Sequence, residues 1–462
     1  MPMKRRSYVL AALLAGWLSG TGLVPAQAMT LEEALALTYE TNPGLLAARA
    51  QLRAVDENVS TARSAWRPDV SSSLTVGVND TETKSGGTTT DGSSVPRTAT
   101  VTLTQALYSG GAFDATIAGA EADVQTQRAS LFISEQDTLL QAVTAYVNVI
   151  RAEATLDLQV NNLSRLQKQL EATRDRFRVG EVTRTDVAQA EARVSRAKSD
   201  RTQAEGDLIT ARVQFERIVG QVPDSVQAPG VPSGLPTGRE EAVDIAVREN
   251  FSLVQAKFTE LSSRHAVDQA EAGLIPTLDL VAQAQKTYDT SGGDNELTDL
   301  TAELQLTIPI YQQGAEYSSI RRAKETANRS RLLVDDTRRA VVDSAASAFE
   351  SYQTTLARIE SLKAEVKSSE IALEGVQQEA TVGARTVLDV LDAEQELLDG
   401  QVALVQAQRD ATVASYQLLQ ALGRLTAQDL GLKVDIYDYD SHYVEVSGKL
   451  WGTTPPGRMP GN

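Results

Sequence analysis

The sequence predicts a mostly α-helical α+β protein made of a duplicated unit, in which two strands precede a long helical hairpin. Three observations predict this class. Short motifs recur at a constant spacing along the 462 residues. Four short segments alternate apolar and polar residues with the period of two that is typical of β-strands. Apolar residues recur every seven positions in long proline-free stretches, which is typical of helices packed side by side.

The duplication is clearest at two stretches, which we call tip 1 (residues 179–186) and tip 2 (residues 382–389). In both, a Val-Gly pair is followed by Thr-x-x-Asp-Val, and the two copies are offset by 203 residues. Each tip lies between two long helical patterns, so we predict that each is the turn of a helical hairpin.

The duplication and composition predict five segments. These are a signal peptide at 1–28, a first repeat at 29–219, a proline-rich linker at 220–238, a second repeat at 239–423 and a C-terminal segment and tail at 424–462. Lys4-Arg5-Arg6, the apolar run after them and Ala26-Gln27-Ala28 have the order of a cleavable secretory signal. The alternative is a membrane anchor, which Gly20 and Gly22 disfavour. We expect no other helical membrane span.

Each repeat is predicted to contain the same elements in the same order. A helical stretch closed by proline comes first, at 31–66 and at 240–274. Strands follow at about 69–79 and 98–108, and again at about 277–286 and 301–310, joined by polar loops at 79–97 and 287–299. Long helices are then expected over 112–178 and 315–381. The C-terminal segment is expected to be irregular with short strands, and its end from Thr453 to be disordered.

Composition argues against several classes of function. The absence of cysteine excludes disulfides and thiolate chemistry, and the net charge of −17 disfavours nucleic acid as a partner. The two histidines, His265 and His442, are not part of a recognisable metal motif, and no phosphate-binding loop or nucleophile elbow is present. We therefore expect no cofactor, no metal site and no enzymatic activity.

The strands favour a membrane location. Their length suits a transmembrane β-strand, and Trp66, Tyr108 and Tyr311 fall at one end of them, as an interfacial aromatic girdle would. Four strands cannot close a barrel, and an open sheet edge cannot lie in lipid, so several chains would have to pool their strands. A soluble sheet capping a helical bundle, or a periplasmic coiled-coil adaptor or spacer without a pore, is the alternative.

These features together resemble the TolC family of outer-membrane efflux and secretion channels, over essentially the whole mature sequence. The resemblance rests on the duplicated layout, the tip motifs, and the Ala421-Leu422-Gly423-Arg424-Leu425 ending of the last long helix. It implies a homotrimer with a 12-stranded β-barrel in outer-membrane lipid and an α-helical tunnel across the periplasm. It also implies a periplasmic adaptor and an inner-membrane transporter as partners, in drug efflux or type I secretion.

The tips hold the candidate functional residues. Thr-x-x-Asp has capping-box spacing, so Asp186 and Asp389 are either ordinary helix-start residues or functional groups. Arg385 and Asp392 lack charged counterparts in the first repeat, which favours a role beyond folding.

The resemblance assigns roles to these positions. It implies that Asp389 and Asp392 form an acidic constriction, and that Arg385 latches onto Thr185 and Asp186 of a neighbouring chain. The family's tyrosine is replaced by Ala380, which argues against a latch within one subunit. The adaptor is expected at Val179, Gly180, Val382 and Gly383.

Overall fold

The computed structural model describes residues 28–223, 225–289 and 295–455. The predicted signal peptide, apart from Ala28, therefore lies outside the described residues, as do the middle of the predicted loop 287–299 and the last seven residues. Within the described part, helices and strands alternate in two copies of one arrangement, followed by a short C-terminal helix. The elements are α1 Leu31–Thr41, α2 Pro43–Ser64, β1 Asp69–Val76, β2 Asn79–Ser85, β3 Thr88–Ser94, β4 Arg97–Tyr108, α3 Ala112–Arg178, α4 Arg184–Val219, α5 Arg239–Glu249, α6 Phe251–Ala272, β5 Thr277–Tyr288, β6 Glu296–Thr307, α7 Ala315–Thr381, α8 Val387–Leu422 and α9 Ser441–Val446.

The opening helix of each repeat is broken in two, which corrects the prediction of continuous helices over 31–66 and 240–274. The breaks fall at Asn42 and Asn250, whose ψ angles of 119° and 123° are extended rather than helical. Each asparagine caps the helix that follows and donates a side-chain hydrogen bond to a carbonyl at the end of α4 or α8, namely that of Ile218 or Ala421. These long-range bonds fix the bends, and helical periodicity gives no sign of them.

The long helices α3 and α7 confirm the prediction for 112–178 and 315–381. Each contains 67 residues, which at ~1.5 Å per residue corresponds to about 100 Å. Each is followed by a 36-residue helix that returns beside it. The two hairpins place tip 1 and tip 2 at the end of the molecule away from the sheet.

The larger sheet has the strand order β1-β4-β5-β6 and is antiparallel throughout. The register aligns apolar residues of neighbouring strands on one face and polar residues on the other, as two rows of paired residues illustrate. One row crosses the sheet through Val70, Leu103, Ala282 and Ala302, and the adjacent row crosses it through Ser71, Thr102, Gln283 and Thr301. The alternation in the sequence therefore becomes one largely apolar face and one largely polar face.

Two details of the strands differ from the prediction. The expected loop at 79–97 contains a second antiparallel pair, β2 with β3, in which Asn79 faces Ser94. Backbone hydrogen bonds hold this hairpin although it has no apolar face, so its side-chain pattern resembles a loop. Strand β6 begins at Glu296 and ends at Thr307, because it pairs with β5 along its whole length. Ile308 and Ile310, which the alternation included, follow the strand.

The main hydrophobic core surrounds the middle of the helices rather than the sheet. Buried residues of α1, α3, α4 and α8 meet there, among them Leu31, Tyr146 and Phe215, and Leu425 of the C-terminal segment joins them. The Tyr146 hydroxyl oxygen lies 2.7 Å from the carbonyl oxygens of Met29 and Gln227, so it ties the linker to the start of the first repeat. Among the described residues of the C-terminal segment, α9 replaces the short strands that we expected.

Candidate functional site: the two helical tips

Both tips turn through the same backbone geometry. Gly180 and Gly383 have φ angles of 81° and 79°, in the left-handed region that a side chain disfavours. The next amide closes the turn in each case, since Glu181 N donates to Arg176 O and Ala384 N donates to Glu379 O, both at 2.9 Å. The Val-Gly pair is therefore the helix C-terminal stop of each hairpin.

The Thr-x-x-Asp motifs form complete capping boxes, as their spacing predicts. In tip 2 the Thr386 amide donates to Asp389 Oδ2 at 2.9 Å, and the Asp389 amide donates back to the Thr386 hydroxyl at 3.3 Å. Thr183 and Asp186 repeat this pattern in tip 1, with distances of 2.8 and 3.3 Å. The backbone N–H and hydroxyl of Thr386, with a smaller effect of the Arg385 charge, hold the pKa of Asp389 below its usual value.

The tips differ in the ion pair that crosses each turn. In tip 1, Arg176 Nε lies 3.2 Å from Glu181 Oε2. In tip 2, Arg385 Nε donates to Glu379 Oε2 at 2.8 Å. Glu379 is the counterpart of Arg176 at the 203-residue offset, so the charge on the long helix is reversed between the two repeats. Arg385 is thus held by its own subunit's turn in the single chain.

A second ion pair joins the two hairpins to each other. Arg193 of α4 donates to Asp392 of α8 at 2.5 Å. Beneath this pair the first turns of α8 contribute Val387 and Leu391 to an apolar cluster with residues of α3 and α4. The cluster fixes tip 2 against tip 1, and the ion pair lies at its edge.

A buried carboxylate lies on the same turn of α8. Glu394 is 4% exposed, and its Oε2 has no hydrogen-bond partner within the described residues. Burial raises the pKa of Glu394, and the charge of Arg165 opposes that shift. Its counterpart in the first repeat, Glu191 of α4, is exposed and accepts a hydrogen bond from Arg174 at 2.5 Å.

The structure brings together only some of the residues that the sequence indicated. Asp389 and Asp392 lie on the first turns of α8, and each carboxylate has a partner in its own chain. Thr185, Val179 and Val382 are exposed at the turns. Sequence reasoning missed Arg193, Glu379 and Glu394. A comparison of charges between the repeats would have found the first two, since Arg193 corresponds to Glu396 and Glu379 to Arg176. Burial of Glu394 has no sequence signal, because Glu191 occupies the equivalent place.

The aromatic residues lie at the helix-proximal end of the sheet. Trp66 precedes β1 and packs its edge against Phe113, with ring centroids 5.2 Å apart. Tyr108 ends β4, and Tyr311 follows β6; they are 48% and 75% exposed.

Neither histidine is part of a metal cluster among the described residues. His265 Nδ1 lies 3.5 Å from Asp268, three residues further along the same helix. His442 Nδ1 lies 2.9 Å from Asp56 Oδ2, and both of these side chains are buried. The second contact joins α9 to α2, so it ties the C-terminal segment to the first repeat.

No described helix has both the length and the apolar composition required to cross a bilayer. The strands of the larger sheet, by contrast, expose large apolar side chains, among them Leu74, Leu300 and Leu304, which are 65–84% exposed. A sheet with one exposed apolar face, joined to two long hairpins that end in capped turns, is the architecture of an outer-membrane channel subunit with a periplasmic helical domain.

Comparison with known proteins agrees with this class. The chain belongs to the Outer membrane efflux protein family, whose model matches residues 34–221 and 242–424. It is 36% identical over 458 residues to the outer membrane efflux protein BepC of Brucella suis, covering 98% of both chains. It is 27% identical to the outer membrane protein TolC of Escherichia coli, covering 89% of this chain and 87% of TolC.

A solved structure supports the same fold. The Campylobacter jejuni CmeC outer membrane channel superposes with a TM-score of 0.76 at 15% identity, covering 90% of this chain and 89% of that one. The protein is therefore an outer-membrane efflux or secretion duct with its helices in the periplasm, and the alternative of a periplasmic adaptor or spacer is not supported.

Proposed function

We propose that three copies of the chain assemble into one duct, with a 12-stranded barrel in the outer membrane and a helical tunnel in the periplasm. The observation that carries this proposal is the sheet itself. Strands β1 and β6 are its two edges, and every residue of both is exposed. Open edges cannot be satisfied in lipid, so β6 of one subunit pairs with β1 of the next until the barrel closes. The family resemblance supplies the number three.

The two faces of the sheet fit this assembly. The apolar face turns to lipid, and the polar face, with carboxylates such as Asp69, Asp279 and Glu303, lines the lumen. Trp66, Tyr108 and Tyr311 lie at the periplasmic interface as a girdle. The β2–β3 hairpin and the loop after β5 then face the outside of the cell. An epitope tag in either should be labelled on intact cells, and labelling only after permeabilisation would invert this topology.

The tips form the periplasmic mouth of the duct. Asp389 and Asp392 are three residues apart on α8, so a trimer places rings of three carboxylates around its axis. Repulsion between subunits opposes the low pKa of Asp389 and disfavours a narrow mouth. Arg385 lies in the turn and is paired with Glu379 in the single chain. In a closed state it would instead reach Thr185 and Asp186 of the neighbouring subunit.

The exposed Val-Gly turns of both tips are the proposed contact for a periplasmic adaptor. Val179 is 72% exposed and Val382 is 80% exposed, and neither contributes to the core of its hairpin. The adaptor connects the duct to an inner-membrane transporter, which selects the cargo. Relatives include the proteases secretion protein PrtF of Dickeya chrysanthemi, 27% identical over 450 residues, so export of proteins is proposed alongside efflux of small molecules.

Crosslinking and planar-bilayer recording test the proposal. Detergent-extracted protein should crosslink to trimers, and a soluble periplasmic monomer would refute the assembly. Arg385→Ser should raise single-channel conductance, and Asp389→Ala with Asp392→Ala should weaken cation selectivity and block by trivalent metal ions. Asp399→Ala, which removes an exposed carboxylate of α8 about ten residues from the mouth, is the matched control. If none of these charge changes alters conductance, selectivity or block, the constriction lies elsewhere.

A further inference from the structure

The C-terminal segment runs along α2 towards the sheet. Successive contacts advance together along both elements. Arg53 Nη1 donates to the Tyr437 hydroxyl at 3.4 Å, and Arg63 Nη1 donates to Ser447 O at 3.2 Å. Between them lies the buried contact of Asp56 with His442. The tail is therefore fixed to α2 over about 15 Å, at ~1.5 Å per helical residue.

The last of these contacts lies next to the first strand. Arg67 Nη1 donates to Lys449 O at 2.9 Å, and only Pro68 separates Arg67 from β1. The Arg67 side chain therefore holds Lys449 close to Trp66, which directly precedes Arg67 in the chain. The tail therefore reaches the level of the aromatic girdle.

The chain reverses direction at this point. Gly452 has a φ angle of 111°, and Lys449 Nζ donates to Thr454 O at 2.9 Å, so the backbone folds back within five residues. The apex of the reversal carries two large apolar side chains, Leu450 and Trp451, which are 64% and 86% exposed. We call residues 449–452 the apex loop. Exposed leucine and tryptophan beside lysine and arginine form the composition of an interfacial membrane anchor.

We propose that the apex loop inserts Leu450 and Trp451 into the inner leaflet of the outer membrane, with Lys449 close to phospholipid phosphates. Each subunit then contacts lipid at a point beside the barrel wall, in addition to the strands. The inference rests on the barrel of the proposed function, because that barrel sets the height of the membrane. The occupant is phospholipid, since this end of the strands faces the periplasm.

The tryptophan content of the chain allows a direct test. The three tryptophans are Trp17, in the predicted signal peptide, Trp66 and Trp451. Trp66→Phe therefore leaves Trp451 as the only tryptophan of the processed chain. The variant is reconstituted in vesicles of phosphatidylethanolamine and phosphatidylglycerol, with and without phosphatidylcholine brominated on its acyl chains.

Trp451 emission should fall by roughly half with bromines near the headgroup and less with bromines near the chain end, because interfacial indoles lie at headgroup depth. Two reporters on a background with both Trp66→Phe and Trp451→Phe calibrate this result. Leu304→Trp on β6 should be quenched, and Ile371→Trp on α7 should not.

Three outcomes would overturn the inference. If Trp451 is not quenched while the Leu304→Trp reporter is, the barrel stands and the apex loop does not contact lipid. If Trp451 emission is blue-shifted but insensitive to the brominated lipid, a neighbouring subunit covers it instead. If the Leu304→Trp reporter is not quenched, the proposed barrel fails together with the inference.

Discussion

Tip 1 and tip 2 have nearly identical backbones, with φ angles of 81° and 79° at Gly180 and Gly383 and the same capping box after each. Their charges differ. Tip 1 has an arginine on its long helix and a glutamate in its turn, whereas tip 2 has Glu379 on the helix and Arg385 in the turn. The residues shared by both tips are those that the turn needs for backbone hydrogen bonds. Charge is not needed to form the turn, so we expect its divergence to reflect different tasks of the two repeats.

The repeats also differ where α4 and α8 end, next to the ends of α1 and α5. Gly220 and Gly423 both end a helix with a φ angle near 88°. A Cβ at Gly220 would have its nearest neighbour at 3.5 Å, the hydroxyl of Thr41, whereas a Cβ at Gly423 would lie 2.5 Å from the backbone oxygen of Glu249. The second repeat is thus packed more closely here, and Arg424 also donates two hydrogen bonds to Glu249, at 2.7 and 3.0 Å.

The largest predicted effect follows from this difference. Gly220→Ala should cost about 1 kcal/mol through left-handed strain alone. Gly423→Ala should cost about 2–4 kcal/mol, because the overpacking of rigid backbone is added to the same strain. Urea denaturation followed by circular dichroism measures both variants. Equal losses of stability would mean that the end of α8 shifts to accommodate the new Cβ. The closer packing in the second repeat would then not contribute to the free energy of unfolding.

The capping boxes should respond equally, which tests whether the backbones are equivalent. Thr183→Ala and Thr386→Ala should each cost about 1 kcal/mol, because each removes the hydroxyl that accepts from the third amide of its helix. Hydrogen exchange in the first turns of α4 and α8 reports each loss locally. Thr→Ser at either site is the control and should retain protection. Unequal exchange would show that packing of α8 against α3 and α4 holds one helix start without its cap.

A smaller effect on stability, visible mainly in its pH dependence, is expected at Glu394 when it is compared with its counterpart Glu191. Burial raises the pKa of Glu394, so the folded chain holds that proton to higher pH than the unfolded chain does. Stability from this group is therefore present at low pH and is lost as the pH rises above the ordinary glutamate value through the raised one.

Glu394→Gln stays neutral throughout, so it should be more stable than the natural chain at pH 7, and the difference should vanish near pH 4, about the ordinary glutamate pKa. Glu191→Gln, at the exposed counterpart, should not show this gain. Denaturation midpoints measured across that pH range test the pair. A Glu394→Gln gain that is independent of pH would mean that folding does not shift the pKa of this carboxyl group.

The smallest effect on stability is expected at the ion pairs across the turns, since exposed pairs contribute little. Arg176→Gln and Glu379→Gln should leave the denaturation midpoint unchanged within error. Glu379→Gln frees Arg385 for the neighbouring subunit and should lower conductance, whereas Arg176→Gln should not. If Arg176→Gln and Glu379→Gln changed conductance equally, or in the opposite sense, the charge reversal between the tips would have no role in closing the mouth.

The sequence by itself determined the duplication, the long helices and the alternation of the four strands. Each depends on a pattern that is visible in the sequence itself: a period of two for strands, a period of seven for helices and a repeated motif for the tips. The capping boxes belong to the same group, because their residues are three positions apart and contact one another.

Other features were decided by tertiary structure. The bends at Asn42 and Asn250 depend on carbonyls about 170 residues away. The β2–β3 hairpin has no apolar face, and α9 is fixed by the contact of His442 with a buried aspartate on α2. Glu191 and Glu394 occupy equivalent positions in the two repeats, yet one is solvated and the other is buried. Packing of α8 against α3 and α4 makes that difference, and a local pattern cannot contain it because the contacting residues are far apart in the chain.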